Sequence, residues 1–209
     1  MDAVRTLPPT EILEAEARSL KRTVKFSVRG CIGLFLLLLF FVSNYSTAQP
    51  PNEYQVKAAY LFNFGKFVRW HSTPTSSADL PFSICVLGQN PFGQTLDSTV
   101  AGEMLNGRKV RTRRLASIQD GADCQIIFIS ASEDGRLKTI LAGASHLSAL
   151  TVSDIPHFAE RGGMIELLTQ DERIRFAVNL ATTEEAGLAL SSDLLKVASK
   201  VIGGKALGN

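Results

Sequence analysis

The sequence predicts one α/β domain of three layers, built on a mostly parallel sheet with an antiparallel hairpin near its C-terminal end. Three features predict it. Two continuous apolar runs, 82–87 and 125–129, read as strands buried on both faces. Helical patterns at 90–100 and 133–144 follow them, as crossovers between parallel strands would. Later the pattern changes to alternation: Ile165 and Leu167 flank Glu166, a polar turn follows at 170–172, and Ile174, Phe176 and Val178 alternate with Arg173, Arg175 and Ala177. That is a hairpin with one wet face.

The first element is a leader. Lys21, Arg22, Lys25 and Arg29 precede an apolar run of 13 residues, 30–42. A spanning helix needs about 20 such residues and an export-signal core about 7 to 15, so a cleavable signal is expected. Small residues at Ser46 and Ala48 place the cut between Ala48 and Gln49. Residues 1–48 then form a signal peptide with an extended n-region, and 49–209 the domain. The first 48 residues hold six of the 22 Lys and Arg and four of the 20 Asp and Glu, leaving sixteen of each in the remainder. A neutral domain gives no bulk electrostatic case for nucleic acid.

After Pro50 and Pro51, residues 53–70 read as a helix, with Val56, Ala59, Tyr60, Phe64, Phe67 and Val68 at three- and four-residue steps and Leu61 and Phe62 widening the stripe. A face this wide and aromatic is core, and such faces also pair second copies of a chain. Residues 72–79, rich in Ser, Thr and Pro, form a loop, and 147–153 reads as a third core strand. Thr182 and Glu185 have capping-box spacing. Ser191 or Ser192 caps a last helix carrying Leu194, Leu195, Ala198, Val201 and Ile202 on one stripe.

Export makes the cysteines informative, since only Cys85 and Cys124 follow the leader. In an oxidising space they read as one disulfide worth about 3 to 4 kcal/mol on the chain-entropy model. Two buried free thiols are the alternative, because both lie in apolar strands.

Catalytic patterns are poor. Gly102, Gly107, Arg108 and Lys109 imitate half of a phosphate loop, but no Ser or Thr follows the lysine. Ser153, Asp154 and His157 are too close in sequence to aim at one another as a triad, and no nucleophile elbow is present. His71, His146 and His157 are scattered, which disfavours a metal site. No catalytic residue, metal or cofactor is expected. Arg108, Lys109, Arg111, Arg113 and Arg114 place five cations in seven residues, and a strand there projects Lys109, Arg111 and Arg113 from one face. The simplest reading is a charged edge strand guarded against aggregation; an anionic ligand or an acidic partner is the other. The candidate ligand loops leave the carboxyl ends of two predicted strands: Gly88, Asn90 and Gly93 in one, Ser153 and Asp154 in the other.

Several segments, in order, resemble the YfiR family of exported proteins: Glu53-Tyr54-Gln55-Val56-Lys57-Ala58-Ala59-Tyr60, Cys85-Val86-Leu87-Gly88 with Pro91-Phe92-Gly93, Ala122-Asp123-Cys124-Gln125, Leu150-Thr151-Val152-Ser153-Asp154, Gly162-Gly163-Met164-Ile165, Ile174-Arg175-Phe176 and Asn179-Leu180. The resemblance covers nearly all of 53–202. It implies a periplasmic regulator that binds and inhibits the sensor domain of an inner-membrane diguanylate cyclase, and so controls cyclic-di-GMP signalling and biofilm formation. It also pairs Cys85 with Cys124, while a second cysteine pair seen in some members is missing. On that reading Phe158, Ile165, Leu167 and Arg175 form an apolar contact surface with a charged rim. Two other classes remain: a small-ligand-binding accessory subunit of another membrane sensor such as a histidine kinase, and a hydrolase using Ser153.

Overall fold

The computed structural model describes residues 52–70 and 80–203. The leader with its cut after Ala48, His71 and the 72–79 loop lie outside the described residues.

Helix α1 (Glu53–Phe67) opens on a capping box, in which the Asn52 carboxamide accepts from the Tyr54 N–H and the Gln55 side chain accepts from the Asn52 N–H. It ends three residues earlier than its periodicity predicts. Val68, Arg69 and Trp70 leave as strand β1 (Val68–Trp70), which pairs antiparallel with β9 (Leu188–Leu190) far along the chain. The buried face is also turned from the expected stripe: Lys57, Ala58, Leu61, Phe62, Phe64 and Gly65 face inward, whereas Phe67 is exposed.

The remaining strands form one eight-stranded sheet. In chain order they are β2 (Phe82–Leu87), β3 (Met104–Leu105), β4 (Arg108–Leu115), β5 (Ile126–Ile129), β6 (Leu150–Ser153), β7 (Ile165–Gln170), β8 (Arg173–Asn179) and β10 (Lys200–Ile202). Their spatial order is β10-β8-β7-β6-β5-β2-β4-β3. The centre, β4-β2-β5-β6-β7, is parallel, and β7–β8 is the antiparallel hairpin. Its two turn residues, Asp171 and Glu172, both take positive φ, the geometry a tight two-residue hairpin needs.

Both faces are covered, which is why the central strands read as mostly apolar runs. Ile84, Val86, Ile126 and Phe128 face a core shared with α1 and α2 (Thr95–Val100). Cys85, Leu87, Ile127 and Ile129 face a second core containing Leu137, Ile140 and Ala144 of α3 (Leu137–Ala144).

Other elements are shorter than their patterns predict. Residues 90–94 are turn rather than helix: the Asn90 side chain donates to the Gly93 carbonyl and accepts from the Phe92 N–H, and Gly93 has φ 57°. The segment before α3 is 3-10 helix to Arg136. Helix α4 (Leu180–Glu185) is capped by Asn179, which accepts from the Thr182 N–H, so the Thr182–Glu185 spacing is not its cap. The last helix, α5 (Ser192–Val197), is capped by Ser191 and gives way to β10, because the chain finds an open edge beside β8. The hairpin has no continuous wet face, as Glu166 and Ala177 are buried.

Candidate functional site

The chain runs from β2 to β4 on one side and returns to β5 on the other. The crevice at the carboxyl ends of β2 and β5 is therefore the topological switch point where such sheets bind ligands. Here the chain fills it. Gly88, at φ 89°, lies so close to Ser132 and Glu133 that a Cβ would meet both at 2.6–2.7 Å. The Gln89 N–H donates to Ser132 Oγ, and the buried Glu133 carboxylate accepts from Arg136 Nε at 2.5 Å. A carboxylate in that position disfavours phosphate.

The second loop is brought to the first by α1. Ser153 Oγ donates to the Ile129 carbonyl at 2.6 Å and accepts from the Ile155 N–H, so this hydroxyl is a structural tie. Asp154 Oδ2 accepts from Lys57 Nζ at 2.6 Å and from the Tyr54 hydroxyl at 3.1 Å. The Tyr54 ring stands edge-on to Phe92 of the first loop, centroids 5.4 Å apart, and Lys57 Nζ lies 4.6 Å from the Tyr54 centroid. Tyr54 thus links both predicted ligand loops. The pair is nearly dry, with side-chain exposures of 4% for Lys57 and 9% for Asp154, and Asp154 Oδ1 is buried with no hydrogen-bond partner.

Burial pulls the Lys57 pKa down, but its hydrogen bonds to Asp154 and Glu53 and the Asp154 charge outweigh this, and the value stands above that of a free lysine. Burial, then the Asp154 charge, raises Tyr54. The Lys57 hydrogen bond lowers Glu53. A fixed ammonium and carboxylate with an aromatic hydroxyl can orient a small polar ligand or lock the helix to the loop; they form no nucleophile–base pair. Nothing in the apolar pattern of α1 singled out Lys57 beyond its four-residue spacing from Glu53, and nothing tied it to Asp154.

The expected contact surface is not offered to solvent. Phe158, Ile165 and Leu167 are at most 3% exposed, and only Arg175 is open. Leu167 pairs across from Phe176 beneath α1, and the 157–163 loop covers the other face of β7. Sequence reasoning also missed what holds that loop. The buried Glu166 carboxylate accepts from the His157 and Ala159 N–H groups at 2.9 and 3.2 Å, and Asn179 Nδ2 donates to the Ala159 carbonyl.

Cys85 and Cys124 are disulfide-bonded, with Cα atoms 6.0 Å apart and both residues buried. This excludes the two free thiols. A cleft of about 280 Å³ lies elsewhere, lined by Leu141, Thr151, Met164, Thr182 and Glu185 among others. Among the described residues no group of three or more His, Cys, Asp or Glu could hold a metal, and no helix is long and apolar enough to cross a membrane.

A family model described as YfiR/HmsC-like matches residues 54–199. Among curated proteins none matches the chain. Two solved structures are similar in part. A conserved domain protein from Vibrio cholerae shares 13% identity, with a TM-score of 0.46 over 57% of this chain and 54% of that one. An ABC domain in complex with L-Trp from Streptococcus pneumoniae shares 12%, with a TM-score of 0.42 over 58% and 55%. The chain spans about half the length of either.

Proposed function

Because the chain belongs to the YfiR/HmsC-like family, we propose that it is an exported regulatory protein that binds the periplasmic sensor domain of an inner-membrane diguanylate cyclase and inhibits it. Inhibition lowers cyclic-di-GMP and restrains biofilm formation. The observation that carries this reading is the family match, which spans the fold from α1 to the end of α5. Two features support it. The Cys85–Cys124 disulfide suits an oxidising compartment entered through the 1–48 leader. The Ser153 hydroxyl, the best hydrolase candidate in the sequence, is committed to backbone bonds.

The test is retention of inner-membrane proteins, solubilised in detergent, on the immobilised disulfide-bonded chain, followed by mass spectrometry and by cyclase assay of what is retained. A retained cyclase whose cyclic-di-GMP synthesis falls when the chain is added supports the proposal. A retained cyclase with unchanged activity, or none retained, overturns it. The Tyr54–Lys57–Asp154 cluster between two strand-end loops favours one second reading, a ligand-binding accessory subunit of another membrane sensor. Retention of a histidine kinase would select it.

A further inference from the structure

Strand β4 carries five cations, and the structure divides them. Arg108 donates to the Leu80 and Pro81 carbonyls, and Arg114 pairs with Asp97, which also accepts from Thr112. On one face, thus, Arg114 has a carboxylate partner and Arg108 is tied to backbone carbonyls. On the other, Lys109 has no acidic partner among the described residues, Arg111 meets only the Ser83 hydroxyl, and Arg113 reaches the open Asp123 carboxylate at 4.0 Å. Three cations therefore stand in a row, about 7 Å apart, with almost no compensation. Residues 49–209 hold sixteen Lys and Arg and sixteen Asp and Glu, so the row is a local feature of a neutral domain.

The same strand is an incomplete edge. On one side β2 pairs with it from Val110 to Leu115. On the other, β3 covers only Arg108 and Lys109. The Val110 N–H points away from β2, since it donates to the Glu103 carbonyl at 2.9 Å. Backbone direction alternates along a strand, so the N–H and C=O of Thr112 and Arg114 point to the same outer side, and no described strand pairs with them there. Charged side chains guard such an edge against aggregation. A row of three cations with one long ion pair among them, beside open backbone groups, also selects what can pair.

We propose that the outer edge of β4 is a docking strand for an extended, acidic polypeptide segment of a partner protein. The segment adds its backbone to Thr112 and Arg114, beyond the end of β3, and sets Asp or Glu side chains against Arg111 and Arg113, with Lys109 adding its charge from beside β3. The inference rests on this edge alone and stands whether the partner is a cyclase, a kinase or another protein.

The test uses the full disulfide-bonded chain and a short synthetic peptide in which glutamate alternates with threonine and valine, followed by amide NMR and hydrogen exchange. The expected result is binding that weakens with salt, with slowed exchange at the Thr112 and Arg114 amides. Arg111→Gln with Arg113→Gln should weaken it by about tenfold. Thr112→Pro removes an outward N–H while keeping every cation, and should abolish protection at Arg114. Three results would overturn the proposal: equal binding of the peptide with lysine for glutamate, binding without protection of those two amides, or full binding by the Thr112→Pro variant. Phosphatidylglycerol vesicles and heparin serve as competing polyanions, and preferential binding of either over the acidic peptide also overturns it.

Discussion

Removing Lys57 should unlock α1 from the β6–β7 loop at a cost set by what is left behind. At 2.6 Å and an effective dielectric of about 20, the Lys57–Asp154 attraction is about 6 kcal/mol before the expense of drying both groups. Desolvation offsets much of it. Lys57→Met keeps the length of the stem but leaves Asp154, already carrying one unpartnered oxygen, without its cation. Breaking one side of a buried pair costs about 3–5 kcal/mol, or roughly 6–20 °C in Tm for a domain of this size. Lys57→Met with Asp154→Leu removes both charges and should recover most of that loss. Urea unfolding of Lys57→Met, Asp154→Leu and the double variant measures it. The pH dependence has a definite sign. The folded-state pKa of Lys57 is raised, so its contribution is fully present below the unfolded value of about 10.4 and is lost as pH rises through the folded value. The gap between wild type and Lys57→Met should therefore be flat through neutral pH and close only in strong alkali. A single-variant loss under about 1 kcal/mol, or a double variant as unstable as the two single losses added, would refute the account.

Three further outcomes are expected. Glu166→Ala strips the His157 and Ala159 N–H groups of their buried acceptor and should cost about 2–4 kcal/mol, with faster amide exchange at those two residues as the direct check. Cys85→Ala with Cys124→Ala opens a loop spanning a sequence separation of 39 and should lower stability by about 4 kcal/mol, read by thermal unfolding against the oxidised chain. Gly163→Ala would place a Cβ 2.1–2.4 Å from the Phe158 ring, so the ring must move, and calorimetry should show a loss of about 1–3 kcal/mol or more.

The sheet core and the fold class could be read from local pattern. The runs at 82–87 and 125–129, apolar apart from Ser83 and Gln125, are short and read as strands covered on both faces. The alternation of Ile165, Leu167, Phe176 and Val178 likewise implied the hairpin. The Cys85–Cys124 bridge was an expectation resting on the predicted leader and the family resemblance, with two free thiols as the alternative, and the structure decides it. Tertiary structure decided what depends on partners distant in the chain. Local periodicity carried α1 through Trp70, but Leu188–Leu190 captures its last three residues as a strand. The β10 segment continues a helical stripe in sequence, yet the free edge of β8 draws it into the sheet. The candidate surface shows the same limit. Phe158, Ile165 and Leu167 were expected at a contact surface and are buried: Ile165 and Leu167 pack in the core shared with α1, and Phe158 is held in the opposite core by the loop that Glu166 pins. Lys57 is absent from the apolar stripe read for α1, and only the fold brings Asp154, 97 residues later, to meet it. Side-chain periodicity reports which face of an element is apolar; what will cover the other face is set by contacts that no local pattern encodes.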